Sequence, residues 1–179
     1  MSARRGSALA DRRAQIIVLG IVSLLAVFAY FKTRDRKLPP VISGNASVND
    51  GDSLSIAGMR IRLEGIDAPE WEQTCADANG AAWPCGKRAA RELSTLINGA
   101  VLSCRTTELD QYERMLAVCS LPGGLNVNAW LVRQGWAVAF GRSRLHATAE
   151  AQARAARRGV WQGTFTRPSL WREQHRKPN

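Results

Sequence analysis

Two short acidic segments of this chain have the residue types of a divalent-cation site. They are DGD at 50–52 and DAPE at 67–70. Hard divalent cations prefer carboxylate and carbonyl oxygens, so we expect Asp52, Asp67 and the carbonyl of Ala68 to bind metal. Glu70 would then orient or deprotonate a water. Each segment taken alone is also a common turn sequence, which leaves a purely structural role open.

Two arginines have the chemistry to complete such a site. Arg62 lies on the strand that leads into Asp67, and Arg114 closes a later polar turn. A phosphodiester undergoing displacement gains charge on its non-bridging oxygens, and a planar guanidinium binds two of these at once. The two arginines are therefore predicted to clamp a phosphate, although an arginine on a strand is most often only a surface residue.

The apolar pattern predicts the elements that position these groups. Residues 54–63 alternate as a β-hairpin around Ala57-Gly58. In its simplest register Ser53 opposes Arg62 and Asp52 opposes Leu63, so joining Asp52 to Arg62 requires a bulge or a strand end at Gly51. Helices are predicted at 86–97, from Asn126 or Asn128 to 133, and at 148–158, with a strand at 136–140. This order favours a small barrel with packed helices.

The four cysteines indicate two disulfides. A second hairpin, with strands at 101–106 and 115–120, places Cys104 opposite Cys119. Cys75 and Cys85 then close a short loop. A four-cysteine zinc site is the alternative, but no CxxC pair occurs. Two disulfides are typical of an oxidising compartment.

Charge and histidine content limit the other function classes. The chain of 179 residues has a net charge of +10, but residues 41–163 hold 13 basic and 12 acidic groups, so the excess lies in the tails. Charge alone therefore does not indicate nucleic-acid binding. The only histidines, His146 and His175, argue against histidine-rich zinc sites and histidine-dependent nucleases.

Residues 14–31 form an uncharged, mostly apolar stretch between basic flanks. As a helix this stretch spans about 27 Å, close to a bilayer core. It predicts one N-terminal transmembrane helix that anchors the domain. A signal peptide cleaved after Ala29 is the alternative.

Six short stretches together resemble the staphylococcal nuclease (thermonuclease) family. In chain order they are VNDGDS at 48–53, IRLEGIDAPE at 61–70, DQYERMLA at 110–117, LVRQGWA at 131–137, EAQAR at 150–154 and GVW at 159–161. Each is modest alone, but their shared order over about 120 residues is specific.

The resemblance implies an α+β fold, a five-stranded OB-type β-barrel with three helices. It also implies Ca²⁺-dependent hydrolysis of DNA or RNA that leaves 5′-hydroxyl and 3′-phosphate ends. By resemblance, Asp52, Asp67 and Ala68 bind the metal, Glu70 is the base or orients the water, and Arg62 and Arg114 clamp the phosphate. Candidate substrate contacts are Tyr112 and Phe140.

The resulting domain division has five parts: a basic tail at 1–13, the anchor at 14–31, a linker at 32–45, the nuclease-like domain at 46–163 and a basic tail at 164–179. We expect a monomer anchored in the membrane, with the domain in the periplasm or outside the cell, or a secreted protein after signal cleavage.

One departure leaves an alternative function open. The family usually has Gly before the second arginine, where this chain has Glu113. Gly tolerates positive φ, and a carboxylate beside Arg114 opposes phosphate binding. A non-catalytic nucleic-acid-binding module or an envelope scaffold is therefore the alternative to a nuclease.

Overall fold

The computed structural model describes residues 15, 17–26, 38–141 and 145–176. The chain divides into two units, 1–37 and 38–179. In the first unit, residues 17–26 are helical. Across the described ranges, no helix has the length and apolar character needed to cross a bilayer. The predicted transmembrane anchor at 14–31, and the membrane localisation built on it, are corrected accordingly. Residues 14, 16 and 27–31 of that prediction, the 1–13 tail and residues 32–37 of the linker lie outside the described residues.

The second unit is built on a closed barrel of five strands, which confirms the α+β class. Its strands are β1 (Val41–Asp50), β2 (Ser53–Ile56), β3 (Met59–Leu63), β7 (Val101–Leu109) and β8 (Met115–Ser120). They pair in the order β1-β2-β3-β8-β7, and β1 also pairs with β7. All pairings are antiparallel except β3 with β8. Strand β1 begins at Val41, inside the predicted linker 32–45, because its backbone pairs with β7 from that residue onward.

The barrel interior follows the predicted alternation. Leu54 and Ile56 on β2 and Ile61 and Leu63 on β3 are buried. Ser53 opposes Arg62, as the simplest register predicts. A bulge interrupts β1 between Val48 and Asp50, and β2 begins only at Ser53. Asp50 ends β1 and pairs with Ser53, and Gly51 and Asp52 form the turn between the two strands.

Short strand pairs connect the barrel to the helices. Strand β4 (Ile66–Asp67) pairs with β9 (Val138–Ala139), and β5 (Cys75–Ala76) pairs with β6 (Ala82–Trp83). The predicted strand at 136–140 is thus present but shorter.

Three helices lie close to their predicted positions. They are α1 (Cys85–Ile97), α2 (Val127–Arg133) and α3 (Ala147–Ala155), and a 3-10 helix follows at Gly159–Gln162. Helix α1 buries Ala89, Ala90, Leu93 and Ile97 and ends at Asn98 in the left-handed conformation. The Asn126 side chain caps α2 by accepting a hydrogen bond from the Ala129 amide.

The C-terminal segment differs from its prediction as a loose basic tail at 164–179. Thr164 exchanges two backbone hydrogen bonds with Ala76, and a fourth helix follows, α4 (Pro168–Gln174). Pro168 occupies the first turn of α4, where its fixed φ and missing N–H suit a helix start. The described part of this segment, residues 164–176, is therefore attached to β5 at Thr164 and helical from Pro168 to Gln174.

Both predicted disulfides, Cys75–Cys85 and Cys104–Cys119, are present. The first joins β5 to the start of α1, and the second joins directly opposed residues of β7 and β8. Such bonds are typical of proteins from oxidising compartments.

Candidate active site

Arg62 joins two of the predicted acidic residues. Its Nη1 lies 2.6 Å from Oδ1 of Asp52, and its Nη2 lies 2.7 Å from Oδ1 of Asp67. Asp52 precedes β2, Arg62 lies within β3 and Asp67 ends β4. Three successive elements at one end of the barrel therefore direct two carboxylates to a single guanidinium.

The acidic turn is fixed by close packing. A Cβ on Gly51 would lie 2.7 Å from the Cβ of Ala68 and 3.0 Å from that of Ala89 on α1. The Ala68 amide also donates a 2.7 Å hydrogen bond to Oδ2 of Asp52. Since only glycine fits this contact, the 50–52 and 67–70 segments are held directly against each other.

Burial sets the electrostatics of the turn. Desolvation raises the pKa of Asp52 to about 7, against the lowering effects of Arg62 and the Ala68 amide. Desolvation also raises the pKa of Asp50, whose carboxylate accepts from the Gly51 amide. Because burial disfavours their charged forms, these carboxylates favour a cation beside them.

Glu70 is held in a tight turn by the fully buried Gln73. The Glu70 amide donates to Oε1 of Gln73 at 3.2 Å, and the Gln73 amide donates to the Glu70 carbonyl at 2.8 Å. A Cβ on Gly86 of α1 would lie 1.7 Å from that carbonyl oxygen. The backbone of Glu70 is thus fixed. Its partly exposed carboxylate lies near that of Asp67, since both contact the same nitrogen of Arg172.

A further cation reaches the site from α4. Nη1 of Arg172 lies 2.6 Å from Oε1 of Glu70 and 2.9 Å from Oδ1 of Asp67, and Nη2 lies 3.2 Å from Oδ2 of Asp67. Burial opposes the charge of Arg172, but its hydrogen bonds to Asp67 and Glu70 outweigh this and raise its pKa. Asp67 therefore contacts two guanidinium groups.

Arg114 is oriented by another carboxylate. Asp110 accepts from the Arg114 amide at 2.9 Å and from its Nε at 2.7 Å. Within the described part of the chain, no ion pair links Arg114 to Asp52, Asp67 or Glu70. The parallel pairing of β3 with β8 begins with Ile61 opposite Met115, so Arg62 on β3 and Arg114, which directly precedes β8, belong to the same strand pair.

Three exposed aromatic rings lie on the segments that carry these residues. Tyr112 stands beside Arg114, whose guanidinium lies 5.4 Å from the ring centroid. Phe140 follows β9, the partner of β4, and its amide bonds to the Gly65 carbonyl. Trp71 directly follows Glu70. Exposed aromatic faces of this kind stack on nucleic-acid bases.

The donor types of the site fit a hard cation, but the described residues do not form a ready-made cluster. Asp52 and Asp67 supply buried carboxylates that converge on one point, and calcium prefers such oxygen donors. No group of three or more His, Cys, Asp or Glu side chains in the described ranges is arranged to hold a metal ion. In this structure, carboxylate oxygens of Asp52 and Asp67 contact arginine nitrogens instead.

Sequence reasoning missed three residues of this arrangement. Asp110 and Gln73 are polar residues in turns, and their adjacency to Arg114 and Glu70 was the available signal. Arg172 stands in a basic, polar stretch, where Pro168 four residues earlier was the sign of a helix start.

Comparison with known proteins places the chain beside one family and several relatives. A model of the staphylococcal nuclease homologue family matches residues 60–163. The succinoglycan biosynthesis protein ExoI of Rhizobium meliloti (strain 1021) is 36% identical over 136 residues, which cover 74% of this chain and 71% of ExoI.

Two further relatives carry nuclease names. An uncharacterized endonuclease of Escherichia coli O157:H7 is 30% identical over 73% of this chain and 82% of its own length. The probable staphylococcal-like nuclease CAN1 of Oryza sativa subsp. japonica is 30% identical over 70% of this chain, but the match spans only 36% of CAN1.

Proposed function

The chain belongs to the staphylococcal nuclease homologue family, and on that premise we propose that it is a calcium-dependent nuclease of DNA or RNA. In this proposal, hydrolysis leaves 5′-hydroxyl and 3′-phosphate ends. The observation that carries it is the convergence of Asp52 and Asp67 on Arg62 at one end of the barrel, with Glu70 joined to Asp67 through Arg172.

Asp52, Asp67 and the carbonyl of Ala68 would hold the calcium ion. When bound, the ion supplies positive charge that stabilises the phosphate in the transition state. The two carboxylates are buried and fixed by packing at Gly51, so their positions change little during the reaction.

Glu70 is the group that takes a proton from the attacking water. Its backbone is fixed by Gln73 and by the close contact with Gly86, while its side chain is partly exposed. A general base needs both a constant position and access to solvent water.

Arg62 and Arg114 bind the phosphate. A guanidinium has five N–H donors, and the carboxylate contacts of Arg62 use two of them. The contact of Arg114 with Asp110 uses its Nε and leaves the terminal nitrogens for a phosphate. Tyr112 and Phe140 offer stacking surfaces for the adjoining nucleotides.

The test is cleavage of single- and double-stranded DNA and RNA by the full chain, purified under oxidising conditions. Each substrate is incubated with Ca²⁺, with Mg²⁺ and with chelator. We expect calcium-dependent cutting, and Glu70→Gln should reduce it by about 10²–10⁴-fold. Glu72→Gln is the matched control, because Glu72 is exposed and its ion pair among the described residues is with Lys87 alone, at 3.6 Å.

A binding module without catalysis is the second candidate. Its support is that carboxylates engage both proposed clamps, Arg62 and Arg114. A folded chain that binds Ca²⁺ and nucleic acid but leaves every substrate intact would contradict the nuclease and favour this alternative.

A further inference from the structure

We propose that Arg172 occupies the cation position of the site in the metal-free protein, and that Ca²⁺ binding displaces its guanidinium. The proposal rests on the proposed function for the identity of the metal. It assigns to the C-terminal helix α4 a role in setting the calcium affinity of the site.

The first argument comes from the contacts of the guanidinium. Arg172 spans Asp67 and Glu70 with three hydrogen bonds, two of which engage both carboxylate oxygens of Asp67. A metal ion bound by Asp67 needs a lone pair on one of those same oxygens. Because the Arg172 donors already point at them, the guanidinium and the metal compete for one ligand.

The second argument comes from the charge balance of the cluster. Asp50, Asp52, Asp67 and Glu70 supply up to four negative charges at the barrel end. Arg62 lies between Asp52 and Asp67, and Arg172 between Asp67 and Glu70. With Arg62 and Arg172 the fully ionised cluster has a net charge of −2, and a divalent cation in place of Arg172 changes it to −1, so the exchange leaves no excess positive charge.

The third argument comes from the attachment of α4. This helix of seven residues buries only Pro168, and isolated helices of such length are marginal in water. Its charged contact with the barrel end is made by Arg172, while Arg167 pairs with Glu150 on α3 at 3.3 Å. The docking of α4 therefore depends strongly on the very ion pairs that a metal would break.

The chain before α4 remains fixed in this exchange. The Thr166 carbonyl accepts a 2.7 Å hydrogen bond from Nε2 of buried Gln73, and Thr164 pairs with Ala76 through two backbone hydrogen bonds. These contacts do not involve the carboxylates. They provide a point about which α4 can leave the site and return.

The test measures calcium affinity rather than cleavage. The full chain and its Arg172→Gln variant are titrated with CaCl₂ by calorimetry in the absence of nucleic acid. Loss of charged hydrogen bonds that compete with the metal should tighten binding by about tenfold to a hundredfold. The control is Arg167→Gln. Arg167 lies in the same segment and pairs with Glu150 rather than with Asp67 or Glu70, so this variant should bind calcium like the parent.

Hydrogen exchange of the parent protein gives a second readout. Saturating Ca²⁺ should reduce protection of the Trp171 amide, which bonds to the Arg167 carbonyl within α4, and leave protection of the Thr164 amide unchanged. In Arg172→Gln the Trp171 amide should exchange fast with or without calcium. Circular dichroism of each variant verifies that the barrel is folded.

The outcomes separate this inference from the proposed function. Equal or weaker calcium binding by Arg172→Gln, or absence of binding in both proteins, overturns the inference. Tighter calcium binding by Arg172→Gln, when neither the parent nor the variant cuts nucleic acid, supports the inference and contradicts the nuclease.

Discussion

The two carboxylate oxygens of Asp110 accept hydrogen bonds from Arg114, one from its backbone amide at 2.9 Å and one from its side-chain Nε at 2.7 Å. The same carboxylate accepts from the Tyr112 amide. Burial opposes ionisation of Asp110, but the Arg114 and Tyr112 hydrogen bonds outweigh it and lower its pKa. One side chain thus fixes the turn and the direction of the arginine.

Asp110→Asn should reduce catalysis through the position of Arg114. The amide retains the size of the side chain but loses the charge that pairs with the guanidinium, so we expect kcat to fall about tenfold. The measurement is steady-state cleavage of DNA with Ca²⁺. Asp77→Asn is the control, because Asp77 closes a comparable turn by accepting from the Asn79 and Ala81 amides. Equal kcat in both variants would contradict a positioning role for Asp110.

Glu113→Gly should stabilise the protein and strengthen phosphate binding. Glu113 has φ of 58°, a conformation that costs a residue with a Cβ about 1 kcal/mol. Its removal also takes a negative charge away from Arg114, so we expect a higher melting temperature and a lower KM.

Ala57→Gly separates the two effects of that change. Ala57 also has positive φ, at 50°, in the β2–β3 turn, so this variant should gain stability without a change in KM. An unchanged KM in Glu113→Gly would show that the charge of Glu113 does not affect the substrate.

His146 should make stability depend on pH. The ring is buried beside Gly65, its Nε2 has no hydrogen-bond partner among the described residues, and desolvation lowers its pKa below 6.5. The unfolded chain therefore takes up a proton near pH 6.5, while the folded chain does so only at lower pH. Stability from the neutral ring is complete above pH 6.5 and is lost as pH falls from there toward the folded pKa.

Urea unfolding between pH 8 and 5 checks this dependence. His146→Gln should flatten the decline relative to the parent chain, whereas His175→Gln should retain it because His175 is exposed. The same slope in all three proteins would exclude His146 as its source.

Loss of the Cys75–Cys85 disulfide should affect both stability and activity. The bond closes a loop of 10 residues, and the chain-entropy model assigns such a crosslink about 3 kcal/mol. It also ties α1 to the segment that follows Gln73, so the double Cys75→Ser, Cys85→Ser variant should lose cleavage as well. The corresponding change at Cys104 and Cys119 costs a similar amount but lies away from Glu70. If both pairs reduce cleavage equally under folded conditions, the effect is general.

The parts of this structure that depend on neighbouring residues in sequence were predictable. A hairpin centred on the turn at 110–113 predicts Cys104 opposite Cys119, and the structure has this pair. It reaches the pair through a register shift between Thr106 and Glu108, which the sequence pattern did not indicate. The hairpin around Ala57 likewise sets Ser53 opposite Arg62. The contact between Asp52 and Arg62 needed an irregularity at Gly51, and the structure has both a bulge in β1 and a late start of β2.

Contacts between residues far apart in sequence that lie outside the family resemblance were not predictable from the apolar pattern. Arg172 meets Glu70 across 102 residues of sequence, and no periodic apolar pattern marks α4, since only Pro168 is buried there. The anchor prediction at 14–31 depended on the apolar length of that stretch and on its basic flanks, and it is wrong for the described helix at 17–26.

The parallel pairing of β3 with β8 has a consequence for the newly made chain. Arg62, within β3, and Arg114, directly before β8, are placed at the same strand pair only when segments 54 residues apart, such as Ile61 and Met115, have met. Contacts of such long range form late, because the intervening chain must first lose its freedom. A chain still in synthesis or transit has the acidic turns and each arginine, but not their joint geometry. The proposed nuclease activity, which uses both arginines, is therefore expected only from the completely folded barrel.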